Sequence, residues 1–226
     1  MRYRTPAPPN AAQRAGGFSL VEMLIAIGIL AVALSMASAM FPMGMRDVMR
    51  SYQNSLGTLI CQNGAGLARL HLSAADAYWA EATLKDAGVG ARIPASDLKY
   101  AGQDGLGYVA LCRRATADEN DFQLLVVSYR LADPSGSISV STVPGVNSGT
   151  VSEITIPGGH EAKFQIGGAA INPATGEYAR ITAVSGSTAL LEHELSLGGS
   201  VLLVHEADAG RSPVLAVLAT RTALKP

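Results

Sequence analysis

The chain has 226 residues, 48% hydrophobic, 5% aromatic and only 15% charged, with a formal net charge of −1. That balance excludes an intrinsically disordered chain, which pairs low hydrophobicity with high net charge, and argues against a nucleic-acid binder held by a broad basic surface. Two cysteines, Cys61 and Cys112, are too few for a disulfide-stapled mini-protein and enough for one bridge in an oxidising compartment.

The mean hydropathy of +0.24 is high for a soluble protein, and its source lies near the start. Residues 1–17 hold Arg2, Arg4 and Arg14, no acid, and the helix-breaking Pro6, Pro8 and Pro9. From Met23 to Phe41 there are 19 residues without a charge. At ~1.5 Å per residue a helix of that length spans ~28 Å, close to a hydrocarbon core. It is apolar all round, so lipid or other apolar helices must surround it. The positive-inside rule keeps the basic end in the cytoplasm and exports the chain beyond Phe41. Three of the 17 bases and none of the 18 acids precede Phe18, so the chain from Phe18 onward carries a net charge of −4.

Three readings fit this start. One is a cleaved signal peptide, with Ala37-Ser38-Ala39 as the cleavage site and Met40 as the mature start; the apolar run is long for it, and Glu22 sits at its edge. A second is an uncleaved single-span anchor. The third rests on the string Gly16-Gly17-Phe18-Ser19-Leu20-Val21-Glu22. It resembles the processing site of type IV prepilins and type II secretion pseudopilins: a small residue, usually Gly, then Phe, then Glu as the fifth mature residue, then an apolar helix.

The resemblance implies that a prepilin peptidase cuts between Gly17 and Phe18 and that the new amine of Phe18 is N-methylated. It also implies filament assembly through residues 18–41. Glu22 is then expected to face the amine of a neighbouring subunit and to set register more than raw stability; otherwise it is interfacial and snorkels to the headgroups. Pro42 either kinks the helix, as prolines near this position do in the family, or ends it.

Beyond Pro42, apolar residues recur at Met45, Val48, Met49, Tyr52, Leu56, Leu59, Ile60, Leu67 and Leu70, at helical spacing. This predicts an amphipathic helical extension over 42–85, weakened by Gly57, Gly64 and Gly66, with a break near 64–66 as one option. Residues 86–107 read as a glycine-rich connector without the setting of a phosphate-binding loop.

From residue 108 the period changes to strands, predicted at 108–112, 122–131, 137–143, 150–156, 162–166, 178–184, 187–192, 200–205 and 213–220. Pro144-Gly145, Ser185-Gly186 and Gly198-Gly199 are among the separators, and Ser185-Gly186 is the clearest hairpin. The expected fold class is therefore α+β. A long N-terminal helix, transmembrane then amphipathic, packs on a C-terminal antiparallel β domain over 108–226, with room for a small barrel over 162–205. Cys61 and Cys112 are either a bridge between helix and sheet or two buried thiols.

Little chemistry is expected. His71, His160, His193 and His205 are scattered, and no zinc or nucleophile motif accompanies them. Asp118-Glu119-Asn120-Asp121 reads as an exposed acidic turn; some pseudopilins bind calcium in a C-terminal loop, but the spacing here matches no calcium signature. No metal or cofactor is expected, with calcium the lesser alternative. The single tryptophan, Trp79, offers no stacking platform.

The expectation is a non-enzymatic minor pilin or pseudopilin, a structural subunit of a type IV pilus or type II secretion filament. Its implied partners are other pilins, the prepilin peptidase, and, indirectly, an assembly ATPase and an inner-membrane platform protein. It would begin as a single-pass inner-membrane protein and end in a periplasmic or cell-surface filament. The alternative is a pilus-anchored adhesin or DNA- or ligand-capture module using the β domain; the acidic balance disfavours DNA.

Overall fold

The computed structural model describes residues 19–74, 76, 83–89, 92–94, 96–100, 105–115, 121–131, 133, 136–206 and 214–224. The chain divides into two compact units, Met1–Arg50 and Ser51–Pro226. One helix, α1 (Leu20–His71), passes from the first into the second.

The described part of the first unit is the N-terminal part of α1. Its large apolar residues are exposed on every side, from Leu20 and Val21 through Ile27, Leu30 and Leu34 to Phe41. This helix is long and apolar enough to cross a membrane. Pro42 lies inside it, so it does not end the helix. It removes one N–H from the ladder, a loss that neighbouring turns can absorb.

In the second unit α1 continues past Gly64 and Gly66 without a break and stops at His71, short of the expected extension to 85. Arg69 and His71 occupy its last turn, where positive charge suits the helix dipole. The face it buries is a stripe of mostly small residues: Gly57, Ile60, Cys61, Gly64, Ala65 and Ala68. The large residues expected to form the packing face are partly elsewhere, since Tyr52, Leu59 and Leu70 are exposed. Small side chains let the helix axis approach the sheet closely. A Cβ on Gly64 would lie 2.8 Å from the Tyr108 ring, and one on Gly57 would lie 2.8 Å from the Leu215 Cβ.

Eight strands complete the second unit: β1 (Lys85–Asp86), β2 (Leu106–Arg114), β3 (Phe122–Arg130), β4 (Ile138–Thr155), β5 (Ala169–Ile171), β6 (Tyr178–Ser185), β7 (Thr188–Glu206) and β8 (Val214–Thr222), counted among the described residues. All pairings between them are antiparallel. One sheet runs β1-β2-β3-β8 and the other β4-β7-β5-β6. The first sheet is covered on both faces. Tyr108, Ala110, Cys112, Leu124 and Val126 pack with the α1 stripe, while Val109, Leu111, Leu125 and Val127 pack with Ile171, Leu202 and Val204 of the second sheet. Double coverage explains why β2 and β3 read as near-continuous apolar runs rather than alternating ones.

The second sheet closes on itself. β7 pairs with β6 through its first half and with β5 through its second, and β5 pairs with β6. Leu195, Val201, Leu203, Ala170, Ala179 and Ile181 pack together in its core. The Ser185–Thr188 hairpin forms as expected, with Gly186 at φ +56.

Several expected strands are corrected. Residues 162–166 are no strand: Glu161–Lys163 is a single 3-10 turn, and Phe164 is buried just after it. The segments 137–143 and 150–156 are one strand, β4, and 187–192 and 200–205 are one strand, β7. Pro144-Gly145 and Gly198-Gly199 are not strand ends. They face each other where the β4–β7 register shifts between Pro144 and Ser148. Gly145 and Gly199 take φ of +81 and +83 there, which glycine adopts without a Cβ penalty. The two strands bend together as one ribbon. Conversely β5, in the string Ala169-Ala170-Ile171, has no counterpart among the expected strands.

Candidate functional site

The N-terminal motif supplies the first candidate site. Gly17 and Phe18 lie outside the described residues, which begin at Ser19. Helix α1 starts immediately after Ser19, and its start is closed by two reciprocal hydrogen bonds. The Glu22 N–H donates to Ser19 Oγ at 3.2 Å, and the Ser19 N–H donates to Glu22 Oε2 at 3.4 Å. This is a capping box: a serine at the cap and a glutamate three residues on satisfy two helix-start donors that have no partner in the helix. The carboxylate also sits in the first turn, where the helix dipole favours negative charge. Ser19 is a site residue that sequence reasoning missed, although S-x-x-E before an apolar run is its signature.

The cysteines form no bridge; both are free and buried. Cys61 reaches from α1 over the β3–β8 seam, its Sγ 3.4 Å from the Val126 carbonyl and 3.5 Å from that of Ala216. Cys112 belongs to β2 and pairs with Leu124 of β3. Val126 pairs with Ala110, so Cys112 lies two residues, about 7 Å, further along the sheet. That offset explains why the sulfurs do not meet. Burial pushes the Cys61 thiol up and the Cys112 thiol up to about 12.

The histidines are placed separately. His71 Nε2 lies 2.9 Å from Asp97 Oδ2, and His193 Nε2 lies 2.9 Å from the Tyr178 carbonyl. His205 is buried, with Nε2 3.0 Å from Ser141 Oγ and Nδ1 2.8 Å from the Glu206 carbonyl. A carbonyl only accepts, so Nδ1 donates to Glu206 O. Of the acidic turn, residues 118–120 lie outside the described residues, and Asp121 faces Arg221 at 4.0 Å. Among the described residues no three His, Cys, Asp or Glu side chains gather as a metal would need.

A cavity of about 770 Å³ opens beside β2 in the second unit. Asp86, Tyr108 and Tyr129 are on its wall. No sequence pattern marks these residues, because they come together only through the pairing of β1 and β3 with β2.

Residues 13–38 match the family model of the prokaryotic N-terminal methylation motif. No curated protein and no solved structure matches the chain. With the match falling on the stretch that holds the Gly17-Phe18 pair, the capping box and the start of an exposed apolar helix, the chain carries the type IV pilin and pseudopilin signature, which supports a precursor of the kind that prepilin peptidase processes.

Proposed function

We propose that this protein is a minor pilin or pseudopilin, a non-enzymatic filament subunit. The observation that carries the reading is the Gly17-Phe18-Ser19-Leu20-Val21-Glu22 string leading directly into a helix whose apolar residues are exposed on every side. Such a helix needs lipid first and other helices afterwards. Prepilin peptidase cuts between Gly17 and Phe18, and Phe18 then presents a new amine. A carboxylate at the edge of an apolar span is costly unless it has a task. Here Glu22 closes the helix start in the single chain and offers its charge to the Phe18 amine of a neighbour on assembly. In apolar surroundings such a pair selects register more than it adds stability. The β domain faces outward, and the work of extrusion comes from an assembly ATPase acting through an inner-membrane platform protein.

Sequencing of the mature N-terminus tests this. An N-methylated Phe18 is expected. A mature chain starting at Met40 would replace the proposal with a signal-peptide-bearing periplasmic protein.

A further inference from the structure

The edge of β2 is covered unevenly. Strand β1 pairs only at Leu111 and Cys112, and the Ala87 N–H reaches the Ala110 carbonyl. At the other end, the Tyr100 N–H donates to Leu106 O and the Tyr108 N–H to Leu98 O. Between these two attachments the cavity of about 770 Å³ opens. That size falls within the roughly 300–1,000 Å³ of small-molecule sites.

Its wall combines apolar surface with a few polar groups, as such sites do. Leu106, Val109 and Ile138 supply the apolar part, Tyr129 the aromatic part, and Asp86 a carboxylate. Asp86 Oδ1 accepts one hydrogen bond, from the Gly88 N–H at 2.8 Å. Among the described residues no cation pairs with it. Tyr108 is 3% exposed, its ring lies against Gly64 of α1, and among the described residues its hydroxyl has no hydrogen-bond partner. Gly88 and Gly107 back the wall, and a Cβ on Gly107 would lie 2.5 Å from the Tyr129 hydroxyl.

The electrostatics have one sign. Burial pushes the Asp86 carboxyl above its ordinary range. An incoming positive charge favours the ionised form of that carboxyl, and the ring face of Tyr129 attracts cations as well. Lys99 is also on the wall and is exposed.

We propose that this cavity binds a small organic amine, its cationic head on the Asp86 carboxylate and its apolar or aromatic body against Tyr129, Leu106 and Val109. The site lies wholly within the second unit and does not depend on the filament reading.

The test uses the full chain in zwitterionic-detergent micelles, with tyrosine rings labelled for NMR. Benzylamine is titrated against benzyl alcohol, which has the same shape and no charge. Saturable shifts of the Tyr129 ring are expected, with benzylamine binding about tenfold tighter than the alcohol. Asp86→Asn should erase that preference and Asp86→Glu should keep most of it. Lys99→Met, which removes a competing charge at the wall, should tighten benzylamine alone. Equal affinity for the two probes, or shifts that never saturate, would overturn the proposal. Should Asp86→Asn lose its tyrosine dispersion and fail to fold, the wild-type comparison and Lys99→Met decide; no gain in Lys99→Met then counts against the site.

Discussion

Ser19 and Glu22 close the same helix end from opposite directions, each accepting the other's backbone N–H at 3.2 and 3.4 Å. The pair gives Glu22 two separable properties, a hydrogen-bonding oxygen and a negative charge. Ser19→Ala removes one half of the box and should cost about 1 kcal/mol at the helix start. Amide exchange over residues 20–23 should then speed up roughly fivefold, while incorporation into filaments persists. Glu22→Gln keeps an oxygen for the Ser19 N–H but carries no charge. It should leave amide exchange near the wild-type rate and block incorporation. Normal filaments from Glu22→Gln would show that the charge has no part in assembly.

Two helix glycines should respond in opposite ways to the same substitution. Gly64 presses on the Tyr108 ring, whereas a Cβ on Gly66 would meet nothing within 4 Å. Gly64→Ala should destabilise the second unit by about 1–3 kcal/mol through overpacking. Gly66→Ala should stabilise it by about 0.5–1 kcal/mol, because alanine is the better helix former. Urea unfolding tracked by near-ultraviolet circular dichroism reads both. Equal effects would mean that the helix sits further from the sheet than 2.8 Å implies.

These glycines show where the sequence was legible and where it was not. The helix, its apolar N-terminal run and most strands are readable from period and turn chemistry. The processing motif is readable from its spacing. The packing face of α1 is not, because hydrophobic periodicity weights large residues such as Leu59 and Leu70, and the buried stripe is built from Gly57, Gly64, Ala65 and Ala68. Glycine and proline pairs read as strand ends, yet at Pro144-Gly145 and Gly198-Gly199 they bend a continuous ribbon. Only the pairing partner distinguishes a bend from a stop. Phe164 looks like a strand residue because it is apolar, and it is buried from a turn. Asp86 has no local signal, since its surroundings come from strands distant in sequence.

Arg113 holds a turn that joins β5 to β6. Its Nε donates to Gln123 Oε1 at 2.8 Å, its Nη2 to the Thr175 carbonyl at 2.8 Å, and its Nη1 to the Ala174 carbonyl. Asn172 Oδ1 accepts from the Ala174 N–H in the same turn at 2.8 Å. Arg113→Met keeps the stem and loses the fork, so it should cost about 1–2 kcal/mol. Faster amide exchange at Ala174 and Thr175 should accompany the loss. Unchanged exchange there would show that the turn holds without the guanidinium.

The buried thiols make the protein sensitive to alkali. Cys112 moves from an ordinary 9.0 up to about 12, and Tyr108 from 10.0 up to about 12, with burial the leading cause in both. In each case the folded state keeps a proton that the unfolded chain loses at lower pH. Stability is therefore fully present below the unfolded value and drains away as pH climbs toward the folded one. The urea midpoint should hold steady to about pH 8.5 and fall steadily above it. Cys112→Ala should flatten part of that fall, after allowance for the small void it leaves. The same burial predicts that iodoacetamide modifies neither cysteine in the folded protein at neutral pH and both after unfolding. Mass spectrometry should find the chain two hydrogens heavier than a bridged form. A native Cys61–Cys112 disulfide, or rapid alkylation of folded Cys112, would contradict the packing of α1 over the β3–β8 seam.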